Sequence, residues 1–559
     1  MSIPRYAPLA QILCLALAGA SAARADTYPR QPGVDITHYA FHLKLSDDTD
    51  RIEGEATIEF RVVRDGVSTL GLDLVQPGPA TPDRGMTVRG VTEKGVPVRF
   101  DHQTDRLSVR LEPEGRAGET RVLVVSYKGV PATGLLIAPN KHGDRTFFSD
   151  NWPIKARHWL PTLDHPSDKA TTEMFVNAPA HYQVVSNGLL VEETDIGEGR
   201  RLTHWRQDVP MATWLNVLGV ARFAVDHRKA WRGVPIETWV YPQDRDNGFA
   251  VFADPTLAVL DFFSERVGPY TFDRLAHVQA NGVRGGMESA TSIFYGDDSV
   301  NDPKSTRWRN VIIHEMAHQW FGNAVTENDW DHVWLSEGFA TYFTHLFIEH
   351  AYGRDEFVAG LRADRDAIRE FDLKNPTYRI IHDNLADMGQ VLSSAGTYKK
   401  GGWTLHMLRG VIGDTAFWTG IREYYKRYRD SNATTEDFRR AMEEASGQEL
   451  GWFFDQWLTR GGMLKVRARW TFDAAAKALR LDVEQLQQGA PLRMPIEVAA
   501  LVEGESTPRV LRIDVRNARE TFTLPLGIDK EPKAVTLDPR TLVLMDADTS
   551  RSGAAPSKR

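Results

Sequence analysis

The sequence predicts a multidomain α+β protein in which a helical middle is set between two β regions. Three observations lead there. At 559 residues the chain is too long for one hydrophobic core, so three or four domains are expected. Apolar residues alternate with polar ones from about residue 36 to 225, and again after 463, which is the period of half-buried strands. Between those regions the apolar spacing is helical.

In chain order, residues 1–25 resemble a secretory signal peptide. Arg5 supplies the positive start, Leu9 to Ala18 is apolar apart from Gln11, and Ala23-Arg24-Ala25 fits a small-x-small cleavage site. The apolar run is too short to span a bilayer. Cleavage near Ala25 would make Asp26 the first mature residue and place the protein in the periplasm or outside the cell. The single cysteine, Cys14, lies in this segment, so the mature chain is expected to have no disulfide.

Residues 26–225 read as one large antiparallel β domain. Tyr39, Phe41, Leu43 and Leu45 alternate, as do Ile52, Gly54, Ala56, Ile58, Phe60 and Val62, with Glu53, Glu55, Thr57 and Glu59 facing the other way. Residues 226–463 open with a strand at Val234–Tyr241. Helices are expected at 254–267, 307–323, 333–352, 356–371, 399–412 and 414–428, and Thr434-Thr435 before Glu436 and Asp437 starts another. Residues 464–549 return to short alternating strands, as in a small β-sandwich. Residues 550–559, rich in Ser, Gly, Ala and basic residues, are expected to be a disordered tail.

Composition excludes some partners. The net charge of −8, with no Lys/Arg block, argues against nucleic acid. After the leader no segment is apolar over 18 residues, so no membrane span is expected.

The chemistry concentrates in His314-Glu315-Met316-Ala317-His318, followed after eighteen residues by Glu337. Residues four apart share one helix face, so His314 and His318 can offer two imidazole nitrogens to one metal ion. Glu337 supplies a third ligand from a second element, leaving an open position for water, as in a catalytic zinc site. Glu315 stays beside the metal as a general base. Such a motif also arises by chance, but here it sits in an apolar, Gly-free run where two histidines and a glutamate are costly to bury without a partner.

These residues resemble the zinc aminopeptidase family of aminopeptidase N and leukotriene A4 hydrolase, the gluzincin metallopeptidases. The likeness rests on His314 through Asn323, on Trp334-Leu335-Ser336-Glu337-Gly338-Phe339-Ala340, on Gly285-Gly286-Met287-Glu288-Ser289, on Tyr398-Lys399-Lys400-Gly401 and on Phe453 to Gly461. It implies a β domain, a thermolysin-like catalytic domain and a β-sandwich. No counterpart of the family's usual C-terminal helical domain is expected, which would leave a more open cleft or one closed by a second copy in a homo-oligomer.

What the resemblance implies about roles follows. One zinc ion per chain would activate water, with Glu315 as base and Tyr398 donating to the oxyanion. Glu288 would pair with the free amino group of a peptide, whose ordinary pKa is about 7.7–8.0. Gly285, Gly286 and Met287 would accept the substrate backbone as an added strand. Two positions depart from the family. Ser289 replaces an Asn, and Trp152 stands where relatives place an amine-holding Gln or Glu. Asp150 or Asn151 would then substitute, or Trp152 would line the first side-chain pocket and shift preference toward small or apolar residues. His158, His165 and His332 read as structural. The expected activity is removal of the N-terminal residue from peptides. A non-peptide hydrolase such as an epoxide hydrolase, an endopeptidase and a catalytically silent peptide-binding module are the alternatives.

Overall fold

The computed structural model describes residues 26–382 and 385–552. The expected signal peptide, and the tail beyond 552, lie outside the described residues. The N-terminal region is built on an eight-stranded sheet. Its strands run in the order Leu189–Gly197, Arg200–Ala212, Lys169–Pro179, Val34–Lys44, Ile52–Val62, Thr120–Val130, Gly85–Glu93 and Val96–Pro97. The alternation seen in the sequence is the burial pattern: Tyr39, Phe41, Leu43, Ile58 and Phe60 are fully or almost fully buried. The sheet is not wholly antiparallel, because Val34–Lys44 pairs in parallel with Lys169–Pro179. Alternation fixes which face a side chain takes but not strand direction, and the long excursion between these two strands permits the parallel return.

The expected boundary at 225/226 falls inside the strand Ala224–Trp231. Pairing with Val234–Val240 assigns that strand to the second region. There it edges a five-stranded sheet that continues through Leu275–Ala280 and Ser292–Gly296 to the two-residue edge strand Gly286–Met287. Three of these strands were not legible as strands. Ser292–Gly296 is buried on both faces, with Ile293 and Tyr295 packed into the helical core and Phe294 into the β-domain core, so no polar alternation marks it.

The helices are α1 (Arg245–Ala253), α2 (Thr256–Arg266), α3 (Thr306–His318), α4 (Trp334–Ala351), α5 (Arg354–Lys374), α6 (Gly401–Ile412), α7 (Asp414–Tyr428), α8 (Thr435–Ser446) and α9 (Gly451–Leu458). The helix expected to reach 323 stops at His318, because the chain turns through Gly322 at φ 110°. The start at Thr434 is a full capping box, with Thr434 and Asp437 each bonding the other's backbone N–H. No helix among the described residues is long and apolar enough to cross a membrane.

The C-terminal region holds a four-stranded sheet (Arg519–Pro525, Ala478–Gln485, Leu464–Asp473, Met545–Arg551) and a three-stranded sheet (Arg509–Val515, Met494–Leu501, Ala534–Leu537). Their buried faces join the helical core in one hydrophobic cluster. Two of the residues expected in the tail belong to the last strand instead. Ser550 and Arg551 pair in parallel with Arg469 and Trp470, and the ladder holds these polar residues through backbone bonds that composition does not reveal.

Candidate active site

Helix α3 brings His314 and His318 onto one face, with their Nε2 atoms 3.2 Å apart. Helix α4 packs against it and delivers Glu337 from its first turn, Oε2 lying 3.4 Å from His314 Nε2 and 3.3 Å from His318 Nε2. The His318 ring is oriented from behind. Its Nδ1 faces the Phe321 carbonyl at 3.1 Å and the Ser336 hydroxyl at 3.0 Å. A carbonyl only accepts, so Nδ1 carries the proton and the Nε2 lone pair faces the cluster. Gly322 makes this packing possible, since a Cβ there would lie 2.3 Å from Ser336 Oγ.

The donor set fits zinc: two imidazoles and a carboxylate whose ligand atoms lie within 4.8 Å of one another. Glu337 Oε2 is buried and makes no hydrogen bond. The electrostatics ask for a cation as well. Burial alone would strip His318 of its charge, yet Glu288 and Glu337 overcome it and raise its pKa to about 10. Burial, opposed by His318 and reinforced by Glu337, pushes Glu288 up to about 7. Burial and then Glu288 push Glu315 well above the carboxylate range. Glu337 moves the other way. Burial would raise it, but His318 and His314 bring it down to about 2. Three buried carboxylates thus share two imidazoles, a deficit of positive charge that a divalent ion would fill.

Glu315 is buried against the edge strand Gly286–Met287. A Cβ at Gly286 would lie 2.3 Å from its carboxyl carbon, so only glycine lets the base and the strand approach. That strand pairs on one side with Phe294 and Tyr295, and its other edge opens into the cleft. Glu288 follows directly. Its backbone carbonyl accepts from Gln319 Nε2 at 3.0 Å and Asn323 Nδ2 at 2.7 Å, while its own Oε1 is buried without a hydrogen-bond partner, 4.0 Å from His318 Nε2. The sequence marks Gln319 and Asn323 only as motif residues, and their positions one and five residues past His318 are the signal that could assign them. Asn323 is held in turn by Lys169 of the β domain, whose Nζ donates to the carbonyls of Asn323 (3.0 Å) and Ala324 (2.9 Å).

Tyr398 sits on a π-helical turn, Ser394–Lys400, where an ordinary α-helix was expected from 399. Such turns recur at functional sites. Its ring stacks on His314 at 6.1 Å, and its hydroxyl feels the charge of the Glu337 carboxylate. Burial and then Glu337 raise its pKa well above the ordinary phenol value, which keeps the proton available for donation. The turn is fixed by ion pairs from Lys399 to Asp364 and from Lys400 to Asp372, both acids lying on α5.

The facing wall of the cleft, which encloses about 770 Å³, comes from the β domain: Asp150, Trp152, Pro153 and Lys155. Trp152 is half-buried and meets Trp214 and Trp330 edge-on at 4.6 and 5.5 Å. Asp150 is ion-paired with Lys155 at 2.5 Å. Asn151 is not available as an amine-binding group. It is buried behind the wall, accepting from Trp159 Nε1 at 2.8 Å and donating to the Asn216 carbonyl at 2.7 Å. Ser289 is also buried. His165 pairs with Asp26 at 3.1 Å and His332 bonds Thr435 at 3.0 Å, in keeping with structural roles.

A helix carrying two histidines and a glutamate, a second helix giving the third ligand and an edge strand against the base define a metallopeptidase type of site. Comparison with known proteins agrees. The Peptidase M1 N-terminal domain matches residues 36–215 and the Peptidase family M1 domain matches residues 253–457. Glutamyl aminopeptidase of Bos taurus is 30% identical over 329 residues, covering 56% of this chain and 34% of that protein. Probable aminopeptidase 1 of Saccharolobus solfataricus is 24% identical over 412 residues, 71% of this chain and 51% of that one. An M1 zinc metallopeptidase from Deinococcus radiodurans superposes with a TM-score of 0.64 at 26% identity, covering 77% of this chain and 95% of that chain. The fold of Legionella pneumophila aminopeptidase A, solved with aspartic acid, matches with a TM-score of 0.77 at 18% identity, over 94% of this chain and 61% of that one. This chain belongs to the M1 family of zinc metallopeptidases. It spans about a third of the length of the glutamyl aminopeptidases it matches.

Proposed function

We propose that the protein is a zinc aminopeptidase that hydrolyses the first peptide bond of peptides with a free N-terminus. The observation that carries this reading is Glu288. A buried carboxylate with an unpartnered oxygen, 4.0 Å from His318 Nε2, stands within one residue's reach of the metal ligands and suits a cationic amino group. An interior peptide bond would leave that carboxylate unpaired.

His314, His318 and Glu337 would hold the zinc ion. When bound, it supplies a water of lowered pKa and polarises the scissile carbonyl. Glu315 takes the proton of the attacking water and returns one to the leaving amine. Tyr398 donates its hydroxyl proton in a hydrogen bond to the carbonyl oxygen as charge develops there. The open edge of Gly286–Met287 aligns the substrate backbone. Residues 1–25 support action outside the cytoplasm, in the periplasm or after secretion.

Hydrolysis of amino-acid anilides and their N-acetylated forms tests the reading. Turnover of the free-amine series alone, abolished by a chelator and restored by zinc, is expected. Equal rates on blocked substrates would remove the role given to Glu288.

A further inference from the structure

The cleft carries charges of both signs, and they are segregated. The acids Glu288, Glu315 and Glu337 are buried on its floor, whereas the cations Lys155 and Arg284 lie toward its mouth. Asp150 lines the same cleft as Glu288 and touches Lys155 at 2.5 Å. The Asp150 and Lys155 side chains retain 38% and 29% of their exposure, so a substrate can reach both.

Resting on the aminopeptidase reading, we infer that the Asp150–Lys155 pair selects peptides whose first residue is acidic. An incoming α-ammonium group meets Glu288 and competes with Lys155 for Asp150. Once Asp150 turns to the ammonium, Lys155 loses its partner. An N-terminal glutamate or aspartate replaces it with its own side-chain carboxylate, so one residue answers both halves of the pair. A neutral first residue leaves Lys155 and the ammonium in competition for one carboxylate. A basic one adds a third cation beside Lys155 and Arg284. Trp152, wedged edge-on between Trp214 and Trp330, gives this wall a fixed apolar flank.

Glutamine and glutamate have the same shape, so their anilides isolate charge. The expected ratio of kcat/KM for Glu-anilide over Gln-anilide is about tenfold, the scale of one partly exposed ion pair, shrinking as salt is added. Lys155→Met should bring the ratio close to one, Lys155→Arg should restore it, and Lys155→Glu should invert preference toward Lys-anilide. Unchanged zinc content and thermal midpoint establish that each variant is folded. A wild-type ratio of one, or a ratio that survives in Lys155→Met, overturns the inference. Loss of the ratio in Arg284→Gln but not in Lys155→Met would move the anion contact to Arg284 and overturn the assignment to Lys155. Failure of the wild type on every free-amine anilide overturns the aminopeptidase reading and this one together, whereas turnover without charge preference overturns this one alone.

Discussion

On the floor of the cleft the metal ligands and Glu315 come from two helices adjacent in sequence, packed so tightly against each other and the edge strand that glycine is required at 286 and at 322. On the facing wall the side chains come from a different domain, are partly exposed, and answer to partners away from the metal ligands: Asp150 to Lys155, and Trp152 to Trp214 of the same domain and to Trp330 of the helical region. The difference separates chemistry from choice. A buried, interlocked floor holds reacting groups in one geometry, and an exposed wall can exchange partners when a substrate arrives.

Substitutions on the floor should cost far more than those on the wall. The largest effect is expected for Glu315→Gln, lowering kcat by about 10²–10⁴ with zinc retained, since it removes the base alone. Residual turnover near the wild-type level would break the comparison at its strongest point. Tyr398→Phe should follow with a loss of about 10²–10³ in kcat and little change in KM, as for one oxyanion donor. Gly286→Ala places a methyl against the Glu315 carboxyl and should cost up to about 10² in kcat by displacing the base, with zinc content unchanged. Asn323→Ala removes one of two hydrogen bonds to the Glu288 carbonyl. It should raise KM for free-amine substrates by about tenfold or less, the scale of one hydrogen bond, while kcat changes little. If Asn323→Ala instead lowered kcat as much as Tyr398→Phe, the amine anchor and the catalytic floor would not be separable.

The same contrast governs what the sequence made legible. His314 and His318 are a four-residue spacing, Glu337 opens the next apolar helix, and the capping box at Thr434 is a short-range signal; each is encoded within a few turns of chain. The strands of the helical region were hidden because Ser292–Gly296 is covered on both faces and carries no period. The parallel pairing of Val34–Lys44 with Lys169–Pro179 depends on a long connection rather than a local pattern. The π-helical turn under Tyr398 is held by acids on α5, remote from its own residues. On the wall, Asp150 and Asn151 look equivalent as neighbours in a loop. Only the three-dimensional partners send one into the cleft and bury the other behind it.

The central claim is that His314, His318 and Glu337 hold one catalytic zinc ion beside Glu315. Its most direct test is elemental analysis paired with anilide turnover on one sample, first stripped by chelation and then titrated with zinc. The account predicts turnover rising in proportion to bound metal and levelling off at one zinc per chain. Full turnover from the stripped, folded protein would contradict it.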